Sequence, residues 1–165
     1  MNNLEVFKDI STFIFDVDGV MTNSQLLVTE EGQLLRSMNT RDGFALKVAA
    51  RAGYRVVIIT GGTSQGVVKR LQGLGITEIY AGIERKIDTY EQYIKDNKLR
   101  NSEILYMGDD LPDYEVMLKV GLPACPADAA PEIKRISNYV SPVDGGKGCV
   151  HDVIERVLKL HDKWQ

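Results

Sequence analysis

The chain has 165 residues, a formal net charge of -3 and a pI near 5.4. That length suffices for one domain, residues 1–165, with a substantial core, and the mildly acidic balance gives no electrostatic case for nucleic acid. Hydrophobic residues make up 44% and charged residues 26%, a globular balance, and no apolar run approaches the roughly 20 residues of a membrane span.

The opening Met1-Asn2-Asn3-Leu4-Glu5 lacks the basic and apolar regions of a secretory signal. Cys125 and Cys149 stand alone without metal-ligand spacing. They read as buried thiols in a reduced compartment, and a cytoplasmic protein is expected.

The first element is Phe13-Ile14-Phe15-Asp16-Val17-Asp18-Gly19-Val20. An apolar run of β-branched and aromatic residues predicts a buried parallel strand. Asp16 and Asp18 fall at its carboxyl end, where open α/β sheets bind ligands. Two neighbouring carboxylates repel unless a cation or proton intervenes, so this pair predicts catalysis and metal binding.

Residues 25–38 follow as two apolar stretches around Glu30-Glu31-Gly32, a β-hairpin in which exposed apolar strands call for a partner. A helix is expected over 43–52, ended by Gly53. Arg55–Thr60 is a second buried strand stopped by Gly61-Gly62, and Ser64–Leu74 a helix closed by Gly75. Then come a strand over Glu78–Gly82, a helix over Lys86–Asn97 and a strand over Glu103–Met107, broken at Gly108-Asp109-Asp110. Asp113–Val120 is helical, short strands follow at Leu122–Cys125 and Tyr139–Val140, and the last helix covers Val150–Leu160. This alternation predicts an α/β fold, a Rossmann-like doubly wound parallel sheet with an inserted β-hairpin. The gaps after Asp18 and after the third strand are too short for a folded cap domain.

Several strand ends carry chemistry. Thr60 offers a hydroxyl and the following glycines offer free amides, a phosphate-binding combination. Lys86 supplies a fixed positive charge, with Lys69 and Lys95 as rivals. Asp109 can join the first aspartate pair around Mg²⁺, which favours oxygen ligands. Asp110 is expected to orient Lys86 or other groups behind the metal ligands, and Asp113 is either a ligand or a helix N-cap.

This constellation resembles the haloacid dehalogenase superfamily, whose motifs are Asp-x-Asp, Ser/Thr after a strand, Lys, and a terminal acidic cluster. All occur here in order between residues 13 and 113. The resemblance implies that Asp16 is the nucleophile and Asp18 the acid and base. Thr60, Lys86 and the Gly61 amide would hold the phosphoryl group. Mg²⁺ would be bound by Asp16, Asp109 and the Asp18 carbonyl.

From Phe15 to about Leu158 the chain is similar to the capless, tetrameric 3-deoxy-D-manno-octulosonate 8-phosphate phosphatases of lipopolysaccharide precursor synthesis. That family implies a sugar-acid phosphate substrate and active sites closed by neighbouring subunits. It further implies contacts from Asn39, Thr40, Arg41, Asp42 and Gly43, from Lys47, and from Gly61, Gly62 and an Arg70 donated across subunits. A solvated Arg70 and an ion-paired Arg41 are the plainer alternatives. Two positions depart from the pattern: Gly62 stands where many relatives have Arg, and Lys147 where they often have Arg. These departures keep a nine-carbon keto-deoxynononate or sialic acid 9-phosphate open as substrate. A non-catalytic oligomeric assembly module is the reading from another class, and Asp16, Asp18, Lys86 and Asp109 together argue against it.

Overall fold

The computed structural model describes residues 3–165. Its centre is a six-stranded sheet of β1 (Thr12–Phe15), β4 (Arg55–Ile59), β5 (Glu78–Tyr80), β6 (Ile104–Met107), β7 (Leu122–Cys125) and β8 (Tyr139–Val140). A separate two-stranded hairpin pairs β2 (Leu27–Val28) with β3 (Leu34–Leu35). The helices are α1 (Asn3–Lys8), α2 (Thr40–Arg51), α3 (Gln65–Gly73), α4 (Lys86–Asn97), α5 (Tyr114–Met117), α6 (Pro131–Ile136) and α7 (Cys149–Leu160).

The order across the large sheet is β5-β4-β1-β6-β7-β8, and every pairing is parallel. Parallel strands need helices on both faces, and alternation along each strand supplies two apolar surfaces. Phe13 and Phe15 point to one face, where they meet Leu46 of α2, Leu71 of α3 and Ile154 of α7. Ile14 points to the other, with Ile87 and Tyr90 of α4, Val116 of α5 and Ile133 of α6. Each of these buried side chains contributes roughly 1.5–3 kcal/mol by leaving water.

The doubly wound sheet and the hairpin match expectation, and no cap domain occurs among the described residues. Some boundaries differ. The first strand stops at Phe15, so Asp16 and Asp18 lie in the turn beyond it. Helix α2 begins at Thr40 because Asn39 caps it, accepting from the amides of Arg41 and Asp42 at 2.8 and 3.1 Å. The expected helix over 113–120 is a 3₁₀ turn, Leu111–Asp113, followed by only α5. Helices α1 and α6 were not anticipated; both are short and lack a long amphipathic repeat. Both cysteines are buried free thiols, as expected.

Candidate active site

Because β1 lies between β4 and β6, the turns after all three strands converge at one edge of the sheet. They border an open cavity of about 420 Å³, lined among others by Asp16, Asp18, Thr60, Gly62, Lys86 and Asp109. Gly61, Asp110 and Asp113 line it too.

Asp16 is buried, and its Oδ1 accepts the Val17 amide at 2.7 Å and meets the Lys86 ammonium at 2.9 Å. Lys86, at the first position of α4, also donates to Asp113 Oδ1 at 2.8 Å. Burial opposes its charge, but the Asp113 and Asp16 carboxylates outweigh that and raise its pKa above the ordinary lysine value. The ammonium stays charged.

Asp113 is the structural hub. Its Oδ1 also accepts the Tyr106 hydroxyl at 2.6 Å, and its Oδ2 accepts the amides of Asp109 and Asp110 at 3.0 and 3.4 Å. Four donors fill the acceptor sites of one carboxylate. Asp110, by contrast, accepts the Leu111 amide and starts the 3₁₀ turn. The expectation that Asp110 orients Lys86 is therefore corrected: Asp113 does so, since the tight turn throws its carboxylate back toward β6. Nor does Asp113 cap α5 with its side chain.

Carboxylate oxygens of Asp16, Asp109 and Asp113 lie within 4.8 Å of one another. Burial, then the neighbouring Asp113 charge, pushes Asp16 above the usual carboxylate range. Burial, then Asp16, does the same to Asp109. Like charges about 4 Å apart repel by roughly 4 kcal/mol at an effective dielectric of 20. A hard divalent cation relieves that repulsion, so the donor set fits Mg²⁺. Asp16 and Asp109 are the carboxylates available to it, because Asp113 is already saturated. Gly19 makes the space: at φ +88, a β-carbon there would stand 1.8 Å from Asp109 Oδ2.

Asp18 sits at the cavity edge, held by Arg36 through Nε to Oδ1 at 2.7 Å and Nη2 to Oδ2 at 3.2 Å. Sequence reasoning missed Arg36, which has no motif spacing, and Tyr106, which reads as one more core residue of an apolar strand. The Thr60 hydroxyl accepts the Gly62 amide at 3.2 Å while lining the cavity, so it both shapes the turn and faces the site.

Of the residues expected to touch a sugar acid, Gly61 and Gly62 line the cavity and the others lie elsewhere in this chain. None of residues 39–43, Lys47 or Arg70 lines the cavity. Asn39 caps α2 and donates to the Gly146 carbonyl at 3.3 Å. Asp42 is buried and turned toward α7, accepting the His151 amide at 2.9 Å, with its pKa pushed up to about 6 by burial. Thr40 and Arg41 are exposed, Lys47 is half-buried, and the exposed Arg70 extends its guanidinium over Gly43.

A fold with its carboxylates and lysine gathered at these strand ends is that of a haloacid dehalogenase-like hydrolase, and a family model of that description matches residues 71–153. A curated 3-deoxy-D-manno-octulosonate 8-phosphate phosphatase of Yersinia pestis is 34% identical over 155 residues, covering 94% of this chain and 83% of that protein. A crystal structure of the phosphatase of that name from Yersinia pestis has a TM-score of 0.94 at 32% identity, covering 98% of this chain and 88% of the other. The Moraxella catarrhalis phosphatase, in complex with magnesium ion, phosphate ion and a KDO molecule, has a TM-score of 0.92 at 30% identity, covering 96% and 91%. The chain belongs to the 3-deoxy-D-manno-octulosonate 8-phosphate phosphatase family.

Proposed function

We propose that this protein is a Mg²⁺-dependent phosphatase that hydrolyses 3-deoxy-D-manno-octulosonate 8-phosphate to the free sugar acid and phosphate. It acts as one domain, in the cytoplasm, supplying lipopolysaccharide precursor synthesis. The observation that carries this reading is the buried Asp16 carboxylate, fixed by Lys86 and crowded by Asp109 at the floor of the cavity. Among the described residues no helix is long and apolar enough to cross a membrane.

In this reading the Asp16 carboxylate attacks phosphorus in line and carries the phosphoryl group. Lys86, Thr60 and the Gly61 amide hold the phosphoryl oxygens. Asp18 gives a proton to the departing alkoxide and then takes one from the water that frees Asp16. Asp16, Asp109 and the Asp18 carbonyl would hold Mg²⁺, which when bound offsets negative charge during transfer. Gly62 addresses the sugar acid from this chain's own cavity, and Thr40, Arg41, Lys47 and Arg70, which lie outside it, do so at a neighbouring subunit's cavity. Phosphate release from eight-carbon and nine-carbon sugar-acid phosphates tests the substrate: at least a tenfold preference for the eight-carbon ester is expected, an order-of-magnitude figure for one pocket contact. Preference for the nine-carbon ester would overturn it, and no release from either would favour an assembly module.

The protein works as a homotetramer whose hairpins meet. Leu27 pairs with Leu35 and Val28 with Leu34, so both hairpin faces are apolar, and all four side chains are exposed in the single chain. Strands this short are not stable alone in water. Leu27→Asp with Leu35→Asp is expected to shift sedimentation toward monomer and lower kcat/KM for the sugar acid about tenfold or more. An unchanged sedimentation profile would remove the hairpin from the interface.

The crowded carboxylates also set a pH dependence. Asp16 and Asp109 keep protons in the folded state that the unfolded chain has already lost above about pH 4, so metal-free stability falls as pH rises toward neutrality. Bound Mg²⁺ displaces those protons. Thermal melts should therefore show a larger gain from saturating Mg²⁺ at about pH 8 than at about pH 5. Asp42, at about 6, adds the same downward slope with or without the ion, so the difference between the two series isolates the cluster. An equal gain at both pH values would contradict the assignment.

A further inference from the structure

Arg36 directly follows β3, the second hairpin strand. Its guanidinium makes three hydrogen bonds: Nε and Nη2 to the two oxygens of Asp18, and Nη1 to the Leu34 carbonyl at 3.2 Å. A two-point grip fixes the plane of a carboxylate as well as its position, which a single ammonium does not. Asp18 lies in a turn beyond its strand and is only half-buried, so packing alone does not set its rotamer.

The opposite wall confirms a fitted arrangement. A β-carbon at Gly62 would stand 3.1 Å from Arg36 Nη2 and 3.4 Å from Asp18 Oδ2. The bare α-carbon of Gly62 thus gives the guanidinium the room where a side chain at 62 would begin. Among the described residues Nη2 has no other hydrogen-bond acceptor, and Arg36 borders a small recess with Val17, Thr60 and Gly62.

We propose that Arg36 is a positioning residue that holds the Asp18 carboxylate in the orientation needed for proton transfer to the leaving oxygen, and that it does so from the hairpin. This rests on the acid role given to Asp18 above. An alkoxide leaving group needs that proton; 4-nitrophenolate leaves without it.

Single-turnover rates of the Mg²⁺-loaded enzyme with the sugar-acid phosphate and with 4-nitrophenyl phosphate separate the cases. Arg36→Met keeps length and apolar contact but loses every N–H. It is expected to slow phosphoryl transfer from the sugar ester about 30- to 100-fold, part of the 10²–10⁴ of a general acid, and from the aryl ester less than about threefold. Arg36→Lys should recover part of the loss through one contact. Arg36→Gln, too short to grip both oxygens of Asp18, should reproduce the selective loss should Arg36→Met fail to fold. Equal losses with both esters, or none with either, would overturn the proposal. Asp18→Asn serves as reference: if it shows no such selectivity, the acid reading itself falls. Selectivity in Asp18→Asn with none in Arg36→Met or Arg36→Gln would remove Arg36 alone.

Discussion

Asp16→Asn is expected to reduce kcat by roughly 10⁴-fold or more while leaving the fold intact. The asparagine side chain has the same shape, still accepts the Val17 amide and fills the same buried space. Its loss of charge removes a partner from Lys86 but also removes the repulsion that Asp109 and Asp113 exert on Asp16, and Lys86 keeps Asp113. The two effects oppose, so the melting temperature should move by only a few degrees, on the order of 1 kcal/mol. The chemistry has no such compensation, because a neutral amide neither attacks phosphorus usefully nor carries a stable phosphoryl ester. Acid quench during turnover with labelled substrate should leave label on the wild-type chain and none on the variant. Turnover within tenfold of wild type, or label retained by the variant, would show that another residue is the nucleophile.

Lys86→Met is expected to cost stability as well as activity. The lysine is almost wholly buried and is the ammonium that both Asp16 and Asp113 contact. Removing one partner of a buried ion pair leaves uncompensated charge and costs about 3–5 kcal/mol. At about 2–4 °C per kcal/mol for a chain of this size, the melting temperature should drop by roughly 10 °C near neutral pH. The drop should shrink in acid, where Asp16, whose pKa burial already raises, takes up a proton and part of the uncompensated charge disappears. Turnover should fall by about 10²–10³-fold, the scale of losing one preorganised donor to an oxyanion. Differential scanning fluorimetry across pH, with kcat on the same preparations, checks both. A melting temperature within about 2 °C of wild type at neutral pH would mean that Lys86 does not hold the two aspartates together.

Much of this architecture could be read from residue order because the relevant signals are local. Phe13-Ile14-Phe15 has the side-chain alternation of a strand covered on both faces, and the polar residues directly after it could only lie at the sheet's end. Thr60, Lys86 and Asp109 were legible for the same reason, each standing at the close of an apolar run or the start of a helix. What failed to show was anything decided by direction within a single turn. Asp109, Asp110 and Asp113 are near-equivalent in sequence, and only the 3₁₀ geometry of 111–113, with Tyr106 beneath it, selects Asp113 as the hub. Arg36 was invisible because its partner is eighteen positions away across an irregular loop. Helices α1 and α6 span six residues each, too few for periodicity to register.

The central place of β1 in the sheet bears on how the chain is made. Its two neighbours, Arg55–Ile59 and Ile104–Met107, are translated long after it, the second about ten seconds later at ordinary elongation rates. Until then Phe13, Ile14 and Phe15 have an unmatched backbone edge, the kind of surface on which nascent chains associate wrongly. Asp16, directly after β1, is thus translated well before β6 and the acidic cluster beyond it, so a product truncated before Met107 lacks one neighbour of β1 and the Asp109 side of the cavity.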